Sequence, residues 1–268
     1  MSDKPKTSIL ITGCSTGIGA YCALRLVENG YDVHATARRN VDIERLRSEG
    51  CKAYHLEHRD PDSIAKLFED LMHATGSRLD AVFNNAGYAQ PGAVEDLPVE
   101  ALREQIEVNL FAYHEIMRRA VPVMRRQGHG RIVNCSSVLG RVVMPWRGAY
   151  NASKYALEGL SMTLRQELMG TGIHVSTIQP GPIPSNIMVN GAAYVEKHID
   201  VEASPMREKF ALRLEKLRAS RPPEDLSGVE PVFRALQHAL EAKRPRAHYP
   251  VTGQTHFAFL ADRVLPKG

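Results

Sequence analysis

The sequence predicts a single α/β domain in which a doubly wound parallel β-sheet carries helices on both faces. Short apolar runs alternate with amphipathic helical stretches along most of the 268 residues, which is typical of repeated βα units. A glycine-rich stretch joins the first apolar run to the first helix, and polar residues follow several later runs. Because the carboxyl ends of parallel strands share one edge of a sheet, we expect these polar residues to meet there.

The composition is that of an ordinary globular protein and argues against several other classes. Hydrophobic residues make up 43% of the chain and charged residues 24%, as is usual for globular domains. The net charge is only +4, and the basic residues are scattered without interleaved aromatic residues, so we expect no nucleic-acid partner. The N-terminal apolar run is too short for a signal sequence or an integral membrane segment, which favours a cytoplasmic protein.

The four cysteines are predicted to be buried free thiols. They lie in or beside apolar runs, and they form neither a C-x-x-C pair nor a cluster with the spacing of a zinc site. We therefore expect no disulfide framework and no metal site.

The first strand and the turn after it indicate a dinucleotide site. Residues 7–12 form a short apolar run that leads into the glycine turn 13–19, and a helical pattern follows over 20–29. In a strand–turn–helix unit the glycines let the backbone approach a pyrophosphate, and the helix N-terminus offers free N–H groups. The glycine spacing is G-x-x-x-G-x-G rather than G-x-G-x-x-G, so the turn alone is a weak signal.

The second strand, residues 31–37, favours one cofactor over another. In this type of fold a carboxylate at the end of the strand binds the 2′-hydroxyl of NAD, whereas an arginine accommodates the 2′-phosphate of NADP. Ala37 occupies the position where an acid would be needed, and Arg38 follows with a planar fork of donors suited to phosphate. The sequence thus favours NADP, the alternative being that Arg38 and Arg39 are merely solvated.

The alternation of strands and helices continues to residue 185. The predicted strands are 51–57, 79–83, 131–135 and 173–178. The predicted helices are 41–49, one that begins at Pro61, the long helix 98–126 and the helix around Tyr150, 150–165. This regular part, residues 7–185, is the predicted cofactor-binding and catalytic core.

Beyond residue 185 the pattern becomes irregular. Residues 186–221 are mixed and highly charged, with one plausible helix over 205–219, and we interpret them as a segment that covers the substrate. A helix over 229–242, a last strand over 248–252 and a tail complete the C-terminal part, residues 222–268.

A serine, a tyrosine and a lysine form the candidate catalytic group. Tyr150 and Lys154 are four residues apart in a predicted helix and therefore lie on one face of it. A nearby positive charge favours the phenolate of a tyrosine, which otherwise titrates near about pH 10, so that it can act as a general acid or base. Ser137, which follows the fifth strand, could hydrogen-bond the reacting oxygen. Because Tyr-x-x-x-Lys is a short motif, an amphipathic helix with a surface lysine is the alternative.

Further motifs occur in a fixed order along the chain, and together they resemble the short-chain dehydrogenase/reductase family. They are the glycine turn, Asn84–Gly87 after the fourth strand, Asn109 in the long helix, the Ser137, Tyr150 and Lys154 group, and Pro180–Gly181 with Ser185. The resemblance is to the NADP-linked branch that includes 17β-hydroxysteroid and retinol dehydrogenases and aldehyde reductases. It implies a Rossmann-type fold and an oxidoreductase.

The resemblance also assigns roles to individual residues. Glu57 stands where the family usually has an aspartate on the adenine, Ser185 stands where it usually has a threonine, and Ser15, Thr16 and Arg38 are candidates for the 2′-phosphate. The residues at the family's cofactor-binding positions are Gly13, Ser15, Thr16, Gly17, Ile18, Gly19, Arg38, Glu57, Asn85, Ala86, Gly87, Tyr150, Lys154, Pro180, Gly181, Ile183 and Ser185.

The reaction that the resemblance implies is hydride transfer between NADP(H) and a small carbonyl or alcohol substrate. Tyr150 would give its proton to the developing alkoxide, and Lys154 would lower the pKa of the tyrosine and hold the nicotinamide ribose. Ser137 would hydrogen-bond the substrate oxygen, and Asn109 would link Lys154 to solvent through water. The alternative is a catalytically silent NADPH-binding regulator, which would not need Ser137, Tyr150 and Lys154 together.

The expected substrate is an apolar aldehyde or ketone, because apolar residues occupy the predicted pocket walls. Ser137 and Tyr150 are expected to face it together with Val143, Trp146 and Ile187, although packing against the core is an equally good account of such residues. Steroids, retinoids, fatty aldehydes and small ketones all remain open. The family usually pairs the Asn109 and Tyr150 helices between subunits, which implies a homodimer or homotetramer, and the apolar tail 257–265 could take part in such packing or touch a membrane surface.

Overall fold

The strands of the protein form one parallel sheet, as the sequence predicted. The computed structural model describes residues 6–187, 189–223 and 225–264. Its strands are β1 (Ser8–Ile11), β2 (Asp32–Ala37), β3 (Lys52–His55), β4 (Ala81–Asn84), β5 (Gly130–Cys135), β6 (Ile173–Pro180) and β7 (His248–Val251). Their order across the sheet is β3-β2-β1-β4-β5-β6-β7, and every neighbouring pair is parallel.

Helices connect the strands and cover both faces of the sheet. In the described residues they are α1 (Gly17–Glu28), α2 (Asn40–Ser48), α3 (Pro61–Thr75), α4 (Val99–Ile106), α5 (Ala112–Gln127), α6 (Gly148–Glu167), α7 (Gly191–His198), α8 (Arg207–Ala219), α9 (Glu230–Glu241) and α10 (Gly253–Val264). This is the predicted single-domain, doubly wound α/β architecture.

Alternate side chains of the strands fill two separate core layers. Ile9 and Ile11 on β1 point to the layer that contains residues of α1, α2 and α9, whereas Leu10 between them points to the layer formed with α3 and α5. All three side chains have no exposed surface. A strand buried on both faces explains the uninterrupted apolar run that the sequence shows here.

The cysteines are buried and free, as predicted. Cys14, Cys22, Cys51 and Cys135 all lie in the layer that packs against α1, α2 and α9. None of the helices in the described part of the chain is both long enough and apolar enough to cross a bilayer.

The helix boundaries differ from the predicted ones in two instructive places. The helix α1 begins at Gly17 rather than at residue 20, so the glycine turn itself supplies its first turn. The predicted long helix over 98–126 is divided, because a π-helical turn, Glu107–Phe111, separates α4 from α5. A π-turn inserts one extra residue without breaking the helical pattern of apolar residues, so periodicity alone does not reveal it.

The C-terminal third contains more helix than the sequence indicated. The segment 186–221 carries α7 as well as the expected α8, and both pack against a third apolar cluster that includes Val195, Phe210 and Leu214. The tail forms α10. Both extra helices are short and weakly amphipathic in sequence, which is why the pattern of apolar residues did not predict them.

A buried carboxylate ties the start of β1 to the start of β4. Asp80 accepts hydrogen bonds from the Ser8 backbone nitrogen at 2.8 Å and from the Ser8 hydroxyl at 3.0 Å, and its other oxygen accepts from His129 and Arg78. Burial alone would raise the pKa of Asp80, but these hydrogen bonds outweigh it and lower the pKa below its ordinary value.

We expect Asp80→Asn to lower the free energy of unfolding at pH 7 by about 2 kcal/mol, because hydrogen bonds to the carboxylate are lost. The pKa of Asp80 is depressed in the folded state, so its stabilisation is present above the unfolded pKa of about 4 and is lost as the pH falls through the folded value. Denaturant unfolding from pH 7 to pH 3 measures this effect. The difference in free energy of unfolding between wild type and Asp80→Asn should become smaller in acid. Asp70→Asn, at an exposed residue that pairs with Lys66, is the control, and a difference that does not depend on pH would contradict this account.

Candidate active site

A cleft of about 400 Å³ runs along the carboxyl edge of the sheet. It brings together most of the predicted site residues, from the ends of six strands and from α6. Those that line it are Gly13, Ser15, Thr16, Gly17, Ile18, Arg38, Glu57, Asn85, Ala86, Gly87, Ser137, Tyr150, Lys154, Pro180, Gly181, Ile183, Ser185 and Ile187. Gly19, Asn109, Val143 and Trp146 are not among the residues that line the cleft in the described structure.

The cleft begins where the order of the strands reverses, between β1 and β4. The hydroxyl of Thr12 accepts hydrogen bonds from the backbone nitrogens of Asn85 (2.9 Å) and Ala86 (3.1 Å), and the side-chain amide of Asn85 donates to the carbonyls of Thr12 and Gly13. This reciprocal set fixes the glycine turn against the loop after β4. The resemblance placed Thr12 at the start of the glycine turn but assigned it no role, because its partners on the loop after β4 are 73 and 74 residues away.

The glycine turn fits a dinucleotide pyrophosphate. Gly13 has φ +72°, and a Cβ there would lie 2.7 Å from the Ala86 Cα, so the position requires glycine. A Cβ on Gly19 would clash with the Gly13 carbonyl. Thr16 at the N-cap of α1 makes no capping hydrogen bond through its side chain, and the first turn carries no acid. The positive end of the helix is thus open to an anionic ligand.

The charges at the end of β2 favour a phosphate. Arg38 is exposed and makes no hydrogen bond or ion pair to the described residues, whereas the neighbouring Arg39 is held by Asp42 at 2.8 and 3.1 Å. Asp42 also binds the Ser15 hydroxyl. Arg45, which sequence reasoning missed, donates to the Ser15 carbonyl at 3.0 Å and so fixes this side of the glycine turn.

Glu57 and His58 form the far end of the cleft. The carboxylate of Glu57 accepts from the Arg59 backbone nitrogen at 3.1 Å, and burial lowers the pKa of His58 to about 4. His58 is therefore neutral at physiological pH and adds no charge to this end of the cleft. Glu57 lines the cleft, as expected of a residue that replaces the usual aspartate.

Tyr150 and Ser137 meet at the other end. Ser137 lies two residues after the end of β5. Its hydroxyl accepts from the Leu139 backbone nitrogen at 3.1 Å and hydrogen-bonds Tyr150. Burial raises the pKa of Tyr150 to about 12, although the hydrogen bond with Ser137 and the charge of Arg147 act in the opposite direction. The lowering contributions thus come from Ser137 and Arg147 rather than from the expected Lys154.

The amine of Lys154 hydrogen-bonds a backbone carbonyl. Its Nζ donates to the Cys135 carbonyl at 2.7 Å and lies 5.7 Å from the centre of the Tyr150 ring and 5.3 Å from that of Tyr113. The side chain is only 3% exposed, and burial lowers the pKa of the amine. Two of its three N–H groups remain available to a ligand in the cleft.

Asn109 lies in the π-helical turn and supports the site from behind. Its side-chain oxygen accepts from the Tyr88 backbone nitrogen at 3.2 Å, and its amide donates to the Tyr88 carbonyl at 3.0 Å and to the Ser153 hydroxyl at 3.2 Å. It therefore connects the loop after β4 to α6, next to Lys154. π-turns are frequent at functional sites because they re-aim a side chain in this way.

The loop after β6 and the start of α10 close a further wall. Gly181 donates to the Val251 carbonyl at 3.3 Å, and a Cβ on it would lie 2.6 Å from the hydroxyls of both Thr252 and Thr255. Pro180, Ile183 and Ser185 of this loop line the cleft as predicted. The contact with α10 was not foreseen, because the tail gives no strong helical signal.

Among the contacts that hold the segment over the cleft are two that the sequence did not reveal. The rings of Tyr88 and Tyr194 are 4.4 Å apart, and Lys197 donates to Glu104 at 2.7 Å. Of the predicted substrate residues, Ile187 lines the cleft, Val143 is 74% exposed, and Trp146 packs edge-on against Phe210. Met188, the apolar residue that follows Ile187, lies outside the described residues.

The sequence model of the short chain dehydrogenase family matches residues 7–193. An uncharacterized oxidoreductase of Escherichia coli K12, YbbO, is 36% identical over 97% of this chain and 90% of its own. Human 17-beta-hydroxysteroid dehydrogenase type 1 is 30% identical over 97% of this chain and 79% of its own. The NADPH-dependent 3-dehydrocapnine reductase of Ornithobacterium rhinotracheale is 27% identical over 96% and 94%.

Solved structures give the same picture of the fold. A short-chain dehydrogenase from Streptomyces avermitilis superimposes with a TM-score of 0.78 at 26% identity, covering 98% of this chain and 93% of the other. The actinorhodin polyketide ketoreductase, solved with NADPH, gives a TM-score of 0.74 at 26% identity and covers 93% and 97%.

We expect Thr12→Val to destabilise the protein by about 2 kcal/mol, because the backbone nitrogens of Asn85 and Ala86 lose their buried acceptor while the side-chain volume is kept. Thermal and urea unfolding measure the change. Thr163→Val is the matched control, since that exposed hydroxyl bonds only within α6. Equal unfolding midpoints for wild type and Thr12→Val would show that the hydroxyl does not hold the two loops together.

Proposed function

The chain belongs to the short-chain dehydrogenase/reductase family of oxidoreductases, and we propose that it is an NADPH-dependent reductase of an apolar aldehyde or ketone. The observation that carries the proposal is the convergence of Ser137, Tyr150 and Lys154 at one end of a cleft whose other end is built for a dinucleotide. Fold alone would not support an activity, because the same fold serves many functions; the three side chains do.

The residues that would hold the cofactor are those of the glycine turn, the loop after β4 and the loop after β6. When bound, NADPH would supply the hydride that reduces the carbonyl carbon of the substrate. Tyr150 supplies the proton that completes the alcohol, from its hydroxyl to the carbonyl oxygen. Its raised pKa keeps the phenol protonated at neutral pH, which is the form that a reduction needs.

The neighbouring side chains stabilise the charge that develops on the substrate oxygen. Ser137 hydrogen-bonds Tyr150 and is placed to donate to the same oxygen. Lys154 contributes a positive charge beneath the phenol and has donors left over for the cofactor ribose. Asn109 keeps α6 and the loop after β4 in register, and we infer that its contact with Ser153 maintains the position of Lys154.

NADP is favoured over NAD by the end of β2. Ala37 offers no carboxylate for a ribose hydroxyl, and Arg38, which has no hydrogen bond or ion pair to the described residues, lines the cleft with its guanidinium. Ser15 and Thr16 line the same cleft. The substrate end is walled by Ile187, Tyr88 and Tyr194, which favours an apolar carbonyl compound over a charged one.

We expect Arg38→Ala to weaken NADPH binding by about tenfold to a hundredfold, the equivalent of about 1.5–3 kcal/mol for hydrogen bonds to a charged group, while NADH binding stays nearly constant. Isothermal titration calorimetry with both cofactors measures this. Arg47→Ala, an exposed arginine of α2 that pairs with Glu44, controls for the loss of one positive charge. If NADH binds wild type more tightly than NADPH, the assignment of NADP is wrong.

We expect kcat/KM for carbonyl reduction to stay level between about pH 6 and 9, because the raised pKa keeps Tyr150 protonated throughout. Oxidation of the corresponding alcohol needs the phenolate, so its kcat/KM should rise with pH over the same range. Tyr150→Phe should lower reduction by at least about a hundredfold. The rate of NADPH absorbance loss with a panel of aldehydes and ketones measures these effects.

Tyr155→Phe is the matched control, since Tyr155 lies on the same helix with 42% of its surface exposed. Tight NADPH binding without turnover of any carbonyl or alcohol would contradict the proposed reduction.

A further inference from the structure

A buried carboxylate on α6, the helix that carries Tyr150 and Lys154, is not accounted for by the reaction above. Glu158 is 8% exposed and follows Lys154 by one helical turn, as Lys154 follows Tyr150. Tyr150, Lys154 and Glu158 therefore share one face of α6. Burying a charge is costly unless it is paired and hydrogen-bonded, so this carboxylate must be compensated by its surroundings.

The compensation comes from the two strands beneath α6. One oxygen of Glu158 accepts from the Gln179 side-chain amide at 3.0 Å, and the other accepts from the Thr177 hydroxyl at 3.1 Å and lies 3.3 Å from Nδ1 of His248. Burial alone would raise the pKa of Glu158, but hydrogen bonds from His248, Ser136 and Gln179 lower it. The carboxylate is therefore ionised at neutral pH.

The same side chain also supports the turn that carries Ser137. A Cβ on Gly140 would lie 3.0 Å from Cγ of Glu158, 2.8 Å from the Ser136 hydroxyl and 3.1 Å from the Lys154 carbonyl. The turn 138–140 thus rests directly on Glu158 and on the backbone of α6. This close approach explains why glycine stands at position 140, although its φ is not in the left-handed region.

We propose that Glu158 is a positioning residue, whose carboxylate holds Lys154 in its charged form and supports the turn that presents Ser137. The kinetic part of this proposal rests on the proposed function; the electrostatic part does not. Within the described residues, the ammonium lies against the Cys135 carbonyl and the rings of Tyr113 and Tyr150, which are uncharged groups.

The direction of the effect follows from the charges around the two groups. Burial lowers the pKa of Lys154, and the Cys135 thiol and Glu158 act against that lowering. The groups that face the Glu158 carboxylate are Ser136 after β5, Thr177 and Gln179 on β6, and His248 on β7. Lys154 lies one turn before Glu158 on the same face of α6. Without the carboxylate, the ammonium would lose its proton at a lower pH.

The test measures the titration of Lys154 directly, in the cofactor-free protein. Trace labelling with acetic anhydride across a pH series, with the Lys154 peptide quantified by mass spectrometry, gives the midpoint of its ionisation. We expect Glu158→Gln to move this midpoint down by about one pH unit or more, as for loss of an opposite charge nearby. Glu167→Gln removes the same charge from an exposed position on the same helix and should leave the midpoint unchanged.

Glu158→Asp keeps the charge but withdraws it by one methylene, and we expect a midpoint between those of wild type and Glu158→Gln. Should Glu158→Gln not fold, Glu158→Asp still tests the proposal, since a midpoint at or above that of wild type would overturn it. An unchanged midpoint in a folded Glu158→Gln protein would also overturn it.

Kinetics then separate this proposal from the proposed function. In a protein that reduces carbonyls, the alkaline limb of kcat/KM in Glu158→Gln should move to lower pH by the same interval as the labelling midpoint. If the midpoint moves but wild type reduces no carbonyl, the effect of Glu158 on Lys154 stands and the proposed function fails. If carbonyls are reduced and the midpoint does not move, the proposed function stands and the effect of Glu158 on Lys154 is disproved.

Discussion

The hydrogen bond from Lys154 to the Cys135 carbonyl is the constraint on which the candidate site depends. A buried ammonium must find partners, and this one finds the last residue of β5. The bond fixes the first turns of α6 against the carboxyl end of that strand. Tyr150 on the helix and Ser137 after the strand are brought together as a consequence. The burial of Lys154 therefore fixes the relative positions of the candidate catalytic side chains, of which Lys154 is one.

Much of this arrangement could be predicted because it depends on local sequence. The apolar runs are buried on both faces, and the glycine turn joins a strand to a helix. The parallel sheet therefore follows from the spacing of the apolar residues, and the edge that carries the cleft follows from the position of the glycine turn. Resemblance then identified residues such as Asn85 and Ser185, which line the cleft. The family and the fold are confirmed, whereas the roles of the individual residues stay predictions.

What the sequence did not reveal depends on contacts between distant segments. Arg45 reaches back to the carbonyl of Ser15, and Lys197 reaches Glu104 across 93 residues. Neither belongs to a motif, because a surface arginine or lysine has the same local signature whether or not it has a partner. Trp146 illustrates the same limit: its aromatic ring suggested a pocket wall, but Phe210 on α8 offers it an apolar partner elsewhere.

The pairing of β1 with β4 also has a consequence for how the chain folds. Thr12 and Asn85 are 73 residues apart, so β1 can pair with β4 only after three βα units, β1–α1, β2–α2 and β3–α3, have been made. Entropy opposes such long closures, and non-local pairing of this kind slows folding. During synthesis β1 can pair with β2 on one side, while its other edge, with Ile9 to Ile11, waits for β4. The strand that leads into the glycine turn thus keeps one edge unpaired while these units are made, and an unpaired strand edge is open to unwanted association.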